Sequence, residues 1–225
     1  AVAMGDWEIR IQSVDGGAGE PVGVYLTKPR IFNTGQVMLG WLSLYKETCE
    51  SRYLDALIRA ADFLVENISS EGEWLNYTLL GKSRTYKSRV IWALLEVYGI
   101  TNDERYKRSA ESVISWILKQ AKSNGWFTDT SFSNKNPITH LIGYTLVGLL
   151  EVYRLHNISC DYDRLRKLLT AAADNISQYY LSHSVSNFPG LPGSFNSHWE
   201  SKDRWSCNTG NAQISFFLRS LFKFV

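Results

Sequence analysis

The chain has 225 residues, 44% hydrophobic and 13% aromatic, with a formal charge of +2. Such a chain can bury one sizeable core or two small ones, which excludes an intrinsically disordered protein. Its charge is spread without a polybasic block or a charged tail, which argues against a nucleic-acid partner.

Residues 1 to 20 lack the charged, apolar and cleavage segments of a signal peptide. The opening segment "DWEIRIQSVDGG" has the pattern of an amphipathic helix that ends in a glycine turn. From Asn33 an apolar segment runs to a short polar link, "KETCES", followed by the amphipathic "RYLDALIRAADFLVEN". The same pair recurs from Tyr86 through "GITNDE" to "SWILKQAK", and again from Thr139 to "ISQYY". Placing Arg52-Tyr53 over Arg105-Tyr106 puts Tyr45 on Tyr98 and Phe63 on Trp116, a period of a little over fifty residues. A last apolar segment begins near Asn208. The longest strongly apolar run, "HLIGYTLVGLLEVY", is too short and interrupted to span a bilayer, so the expectation is a soluble, cytoplasmic chain with no transmembrane segment. Three widely separated cysteines (Cys49, Cys160, Cys207), with no Cys-x-x-Cys, argue against a disulfide framework and a zinc knuckle. No metal and no cofactor are expected.

Each repeat is a helical hairpin. Its first segment is apolar nearly all round, as an inner helix packed on every side would be, and its second has one charged face, as an outer helix facing water would. Hairpins of this kind bury their apolar faces only by stacking on neighbours. The expected fold is therefore all-α, with connections at 13 to 32, 67 to 84, 122 to 138 and 183 to 206. The outer segments end in an aromatic, then Gln or a polar equivalent, then Gly, most fully in Trp116, Gln120, Gly125 and Trp126. This resembles the QW repeat of the terpenoid cyclase and protein prenyltransferase toroids. The resemblance implies an α/α toroid in which the Gln satisfies helix-end backbone groups and the Trp stacks across the turn. Residues 1–225 then form a single α/α toroid domain with four inner helices. Because such rings close with about five to seven and open edges need capping, an incomplete ring is expected, either the C-terminal part of a longer one or a chain that homo-oligomerises.

In a toroid all inner helices start at one rim. Asn33-Thr34-Gly35-Gln36 and Asn208-Thr209-Gly210-Asn211 share that register, either as helix caps with a close helix crossing or as the mouth of a site. Caps do not account for the amides Gln36 and Gln213 in otherwise apolar helices, since buried amides need partners. The loops entering these helices hold Tyr25, Trp74, Tyr77, Trp126, Phe127, Phe195, Trp199 and Trp205, with Asp129, Glu200 and Asp203 and several Lys and Arg, Arg84 and Arg89 among them. Aromatic faces, amides, carboxylates and arginines suit a sugar, and helix N-termini with arginines suit an anionic one. The candidate catalytic residues are His140, Tyr86, Glu200 and Asp129. The candidate substrate-binding residues are Asn33, Gln36, Arg89, Tyr144, Trp199, Trp205, Asn208 and Asn211.

The set "IFNTGQ", "RTYKSRV", "THLIGY", "LPG" and "WSCNTGNAQ" resembles prenyltransferase-like toroid proteins encoded with polysaccharide genes and, more distantly, the C-terminal domain of glucuronyl C5-epimerases. That resemblance implies a carbohydrate-active protein handling an acidic polysaccharide or oligosaccharide, as hydrolase, lyase or epimerase, with an acidic glycan or another anionic small molecule as its partner. Lysis or epimerisation calls for a base (His140 or Tyr86) and an arginine on the carboxylate, hydrolysis for two carboxylates (Asp129 and Glu200). The alternatives are an isoprenoid enzyme of the prenyltransferase or terpenoid-cyclase type and a non-catalytic glycan-binding scaffold. Against isoprenoid chemistry, Asp203 and Cys207 lie four apart with no later His, and no Asp-x-Asp-Asp is present.

Overall fold

A computed structural model describes residues 1–21, 27–133, 135–183 and 190–224. Eight α-helices are present among them: α1 (Val2–Ile11), α2 (Ile31–Thr48), α3 (Ser51–Glu66), α4 (Ser88–Thr101), α5 (Glu104–Lys119), α6 (Thr139–Leu155), α7 (Tyr162–His183) and α8 (Asn208–Leu221). The helix ends agree with the connections read from the sequence. The strands among the described residues are β1 (Gly19–Pro21) and β2 (Thr27–Pro29), an antiparallel pair inside the first connection. No described helix is long and apolar enough to cross a membrane.

The chain divides into two compact units, Ala1–Ser83 with Arg89–Ile114, and Arg84–Ser88 with Ser115–Val225. In the first unit the outer helices are joined by a clasp built on the aligned Arg-Tyr pairs. Tyr53 donates from its hydroxyl to Asp6 at 2.9 Å while Arg52 pairs with the same carboxylate at 3.3 Å. One repeat later Tyr106 donates to Asp62 at 3.0 Å and Arg105 pairs with it at 3.0 Å. Burial, and then the bond to Asp62, hold the Tyr106 phenol above its ordinary range. A phenol whose value is raised on folding stabilises the folded state fully below the unfolded value of about 10, and that contribution is lost as pH climbs toward the folded value. Tyr106→Phe should therefore be about 1 kcal/mol less stable than wild type at neutral pH. The gap should close in urea titrations at increasingly alkaline pH, and a constant gap would refute the clasp's ionisation linkage.

One turn follows the outer helices α1, α3 and α5. Ser13, Ser69 and Lys122 each donate a backbone N–H to the carbonyl four residues on and accept from the N–H of a glycine three residues on. Those glycines, Gly16, Gly72 and Gly125, have φ of 91°, 78° and 75°. Each sits where an added Cβ would meet the backbone of the following outer helix at 2.2 to 2.3 Å. The connection before α8 contains the same turn at Asn196, but Trp199, at φ 61°, occupies the glycine's place. Gln12, at the end of α1, donates to the turn carbonyl Gly16 O at 2.8 Å and to Ala56 O, inside α3, at 3.0 Å. The indole of Trp74 likewise donates to Leu64 O at 2.9 Å.

Inner helices meet through a recurring small residue. A Cβ on Gly35 of α2 would stand 2.9 Å from Val90 of α4 in the first unit. In the second, Ser88 donates to Thr145 O of α6 at 3.0 Å, and a Cβ on Gly143 of α6 would stand 2.6 Å from Gln213 of α8.

Candidate functional site

Neither asparagine of the two Asn-Thr-Gly motifs caps its helix. The N-cap of α2 is Arg30 and that of α8 is Cys207, neither with a side-chain cap bond, so Asn33 and Asn208 fall within the first turn. In the first copy Thr34 supplies the polar contacts, accepting from Ala18 N at 2.9 Å and donating to Arg30 O at 2.8 Å. The two glycines serve opposite neighbours. Gly35 makes room for the following inner helix, whereas Gly210 lies against Thr139 and the backbone nitrogen of His140 on the preceding one. The shared motif thus marks close helix approach, not capping.

In the first unit Gln36 and Arg89 are brought together, with Arg89 Nε donating to Gln36 Oε1 at 3.0 Å. Gln36 Nε2 is buried without a hydrogen-bond partner, and so is Gln213 Oε1 in the second unit. These are the two amides that capping left unexplained. The same unit holds residues that the loop-centred reading passed over, namely Trp92, Glu96 and Lys46. Trp92 donates from its indole to Glu96 at 3.1 Å, and Lys46 pairs with Glu96 at 2.8 Å. Their signal in the sequence is the spacing of Arg89, Trp92 and Glu96 by three and four within an otherwise apolar helix.

The four candidate catalytic residues, Tyr86, Asp129, His140 and Glu200, all belong to the second unit. Segment 84–88 lies along α6, where Thr85 shares hydrogen bonds with Thr130 at 2.7 Å and Thr145 at 3.4 Å. Arg84 is 7% exposed and meets the carboxylate of Asp129 at 3.3 Å, while that carboxylate keeps about half its surface open. Asp129 is held by its own backbone, at φ 53°, with its carbonyl accepting from Thr85 N at 3.1 Å. Tyr86 is buried, edge-on to the half-exposed Phe132 at 5.7 Å. Burial pushes its phenol upward and the nearby Arg84 charge opposes that only in part. A phenol held upward in this way keeps its proton, and so can donate a hydrogen bond, at neutral pH. One turn before the Tyr144-Thr145 step that Ser88 touches, His140 packs edge-on against Tyr144 with ring centres 4.2 Å apart.

Other expected site residues are occupied by structure. Trp199 is 4% exposed, donates to Asn124 O at 3.0 Å and packs edge-on against Trp126 and Phe195, so it is a wedge inside the second unit and offers no stacking face. Glu200 is an exposed turn residue whose backbone and carboxylate are tied to Asn196 at 3.0 and 3.1 Å. Asn211 spends both side-chain ends on the loop before α8, accepting from Leu191 N at 2.9 Å and donating to Ser206 at 2.7 Å. Trp205 is half-exposed over Gly193, and Asn208 is exposed. Tyr25 lies outside the described residues. Among the described residues, no group of three His, Cys, Asp or Glu side chains stands close enough to hold a metal ion.

No protein-family model matches the chain, and no curated protein matches it. Solved structures do. The chain is similar to a family 76 α-mannanase of Bacteroides thetaiotaomicron, at 17% identity and a TM-score of 0.63 over 98% of this chain and 61% of that one. It is similar to the cellobiose 2-epimerase of Spirochaeta thermophila, at 13% identity and a TM-score of 0.61, over 92% and 56%. A polysaccharide lyase matches at 11% identity and a TM-score of 0.65, over 96% and 61%. The chain thus spans little more than half the length of these proteins. At such identities the likeness establishes the fold, an α/α toroid of the kind that carbohydrate-active hydrolases, epimerases and lyases share.

Proposed function

We propose that this chain belongs to a protein acting on an acidic polysaccharide or oligosaccharide, with proton transfer by His140 in the second unit. What supports this reading is that α6 carries His140 and Tyr144 in ring contact, while segment 84–88, bonded to Tyr144 and Thr145 of α6, carries Tyr86 and an Arg84 paired with Asp129. Histidine is the side chain whose chemistry best suits a general base or acid, and Tyr144 against the His140 ring limits how the imidazole can turn. Tyr86 supplies a phenolic donor, and Arg84 bears a buried positive charge that an acidic sugar's carboxylate could share with Asp129. Abstraction of the proton beside a uronate carboxylate leads to lysis or epimerisation, which is why these rank ahead of hydrolysis. Hydrolysis needs two facing carboxylates, and Glu200 is committed to its turn. The toroids named above have carbohydrate substrates in their names, which favours glycan chemistry over the prenyl diphosphate alternative.

The test incubates the full chain with oligogalacturonates, heparosan oligosaccharides and neutral manno-oligosaccharides. Lysis would show as ultraviolet absorbance of a new double bond, epimerisation as deuterium uptake from solvent at the carbon beside the carboxylate, and hydrolysis as new reducing ends. His140→Ala should lower turnover on the acidic series by about a hundredfold or more with binding retained. Turnover confined to neutral glycans, absence of both turnover and binding, or a fully active His140→Ala would each overturn the proposal.

A further inference from the structure

Helix α4 is enclosed on all but one stripe. Val90, Ile91, Ala93, Leu94, Leu95 and Val97 are at most 2% exposed, whereas Arg89, Trp92 and Glu96 remain partly exposed. A solvent stripe on an otherwise buried helix asks only for small or freely moving polar groups. Here the side chains are held in place. The Arg89 guanidinium lies over the Trp92 ring, 5.5 Å from its centre, and its Nε is fixed by Gln36 at 3.0 Å. The opposite end of the indole is tied through its N–H to Glu96 at 3.1 Å, and Glu96 is in turn held by Lys46 at 2.8 Å. The stripe therefore runs for two helical turns, about 11 Å, with both ends braced against α2 inside the first unit. Gln36 braces Arg89 while leaving its own Nε2 buried and unpartnered, a cost that a purely structural position would shed by becoming apolar.

We infer that the part of the Trp92 ring not covered by the Arg89 guanidinium is the stacking platform of a saccharide subsite, flanked by Arg89 and Glu96. The apolar CH face of a pyranose matches a fixed indole, and a ring hydroxyl beside it can donate to the remaining lone pairs of a carboxylate that already accepts from Trp92 and Lys46. Because platform and flanks are ordered before the ligand arrives, binding does not have to freeze them. Gln36 is a positioning residue that sets Arg89. This inference rests on the glycan reading above but uses none of the residues assigned to proton transfer.

The experiment is calorimetric titration of the full chain with oligogalacturonates and with manno-oligosaccharides, comparing wild type, Trp92→Phe and Trp92→Leu. The phenylalanine variant keeps an aromatic face and should bind within about threefold of wild type. The leucine variant keeps the bulk without the ring and should bind at least about tenfold more weakly. In parallel, fluorotryptophan-labelled wild type is followed by fluorine NMR, with the Trp92 resonance identified by its absence from Trp92→Phe. That resonance should shift on saturation, a response that a merely structural role would not produce and that does not depend on the leucine variant folding. Wild type that binds with the resonance unmoved, or a folded leucine variant with unchanged affinity, overturns the subsite while leaving the glycan reading standing. Wild type that binds neither series overturns both.

Discussion

Gly125→Ala should destabilise the chain by about 3 kcal/mol or more, mostly through the second unit. At φ 75° an L-residue pays for the left-handed backbone, about 1 to 2 kcal/mol. The added methyl would also stand 2.3 Å from Ala172 N and 2.6 Å from Leu168 O, backbone atoms of α7 that cannot move aside without shifting the helix. Overpacking of that kind adds about 1 to 3 kcal/mol. Gly81→Ala separates the two effects, because Gly81 has φ 62° with nothing within 4 Å of the added methyl. It should cost only the backbone share. Urea unfolding of both variants decides the matter, and equal losses would show that the turn does not grip α7.

The second large effect belongs to Trp74→Ala, expected to cost about 4 kcal/mol. Trp74 is fully buried in the first unit, so truncation leaves a cavity worth about 3 to 5 kcal/mol, and Leu64 O loses its indole donor as well. Trp74→Phe, which fills most of the space, should lose mainly the hydrogen bond, about 1 to 2 kcal/mol. Trp205→Ala, half-exposed, should change stability by less than about 1 kcal/mol. Thermal unfolding of the three variants ranks them. If Trp74→Ala proved as mild as Trp205→Ala, the loop aromatics would have to be regarded as surface groups and not as plugs of the helix ends.

Local chemistry was enough to read the hairpins. Apolar periodicity of 3.6 residues gave the helices their extents, and the aligned pairs Arg52-Tyr53 and Arg105-Tyr106 gave the repeat register, although the clasps they make on Asp6 and Asp62 appear only in the fold. The glycines of the outer-helix turns were legible too, since a left-handed backbone tight against another helix admits little else. The prenyltransferase-like label went further than these features carry, because QW-like turns report how helix ends are closed and not what a ring encloses.

What the sequence by itself determined is therefore the helical-hairpin repeat and its boundaries, which follow from short-range periodicity and turn chemistry, with the toroid class implied by the resemblance of its turns to the QW repeat. Only the tertiary structure decided which polar groups are spent on the fold. Asn211 and Glu200 look like site residues in a string of letters, yet their hydrogen bonds go to Leu191, Ser206 and Asn196. Trp199 looks like a loop aromatic, yet it is buried in a turn where the other repeats place glycine. Conversely Trp92 sits inside an apolar helix and reads as core, and it is the packing of every other face of α4 that leaves this one ring partly open between Arg89 and Glu96. The physical reason is common to all four. A side chain's chemistry is written in the chain, but whether its polar atoms and ring face are already occupied depends on partners up to 75 positions away.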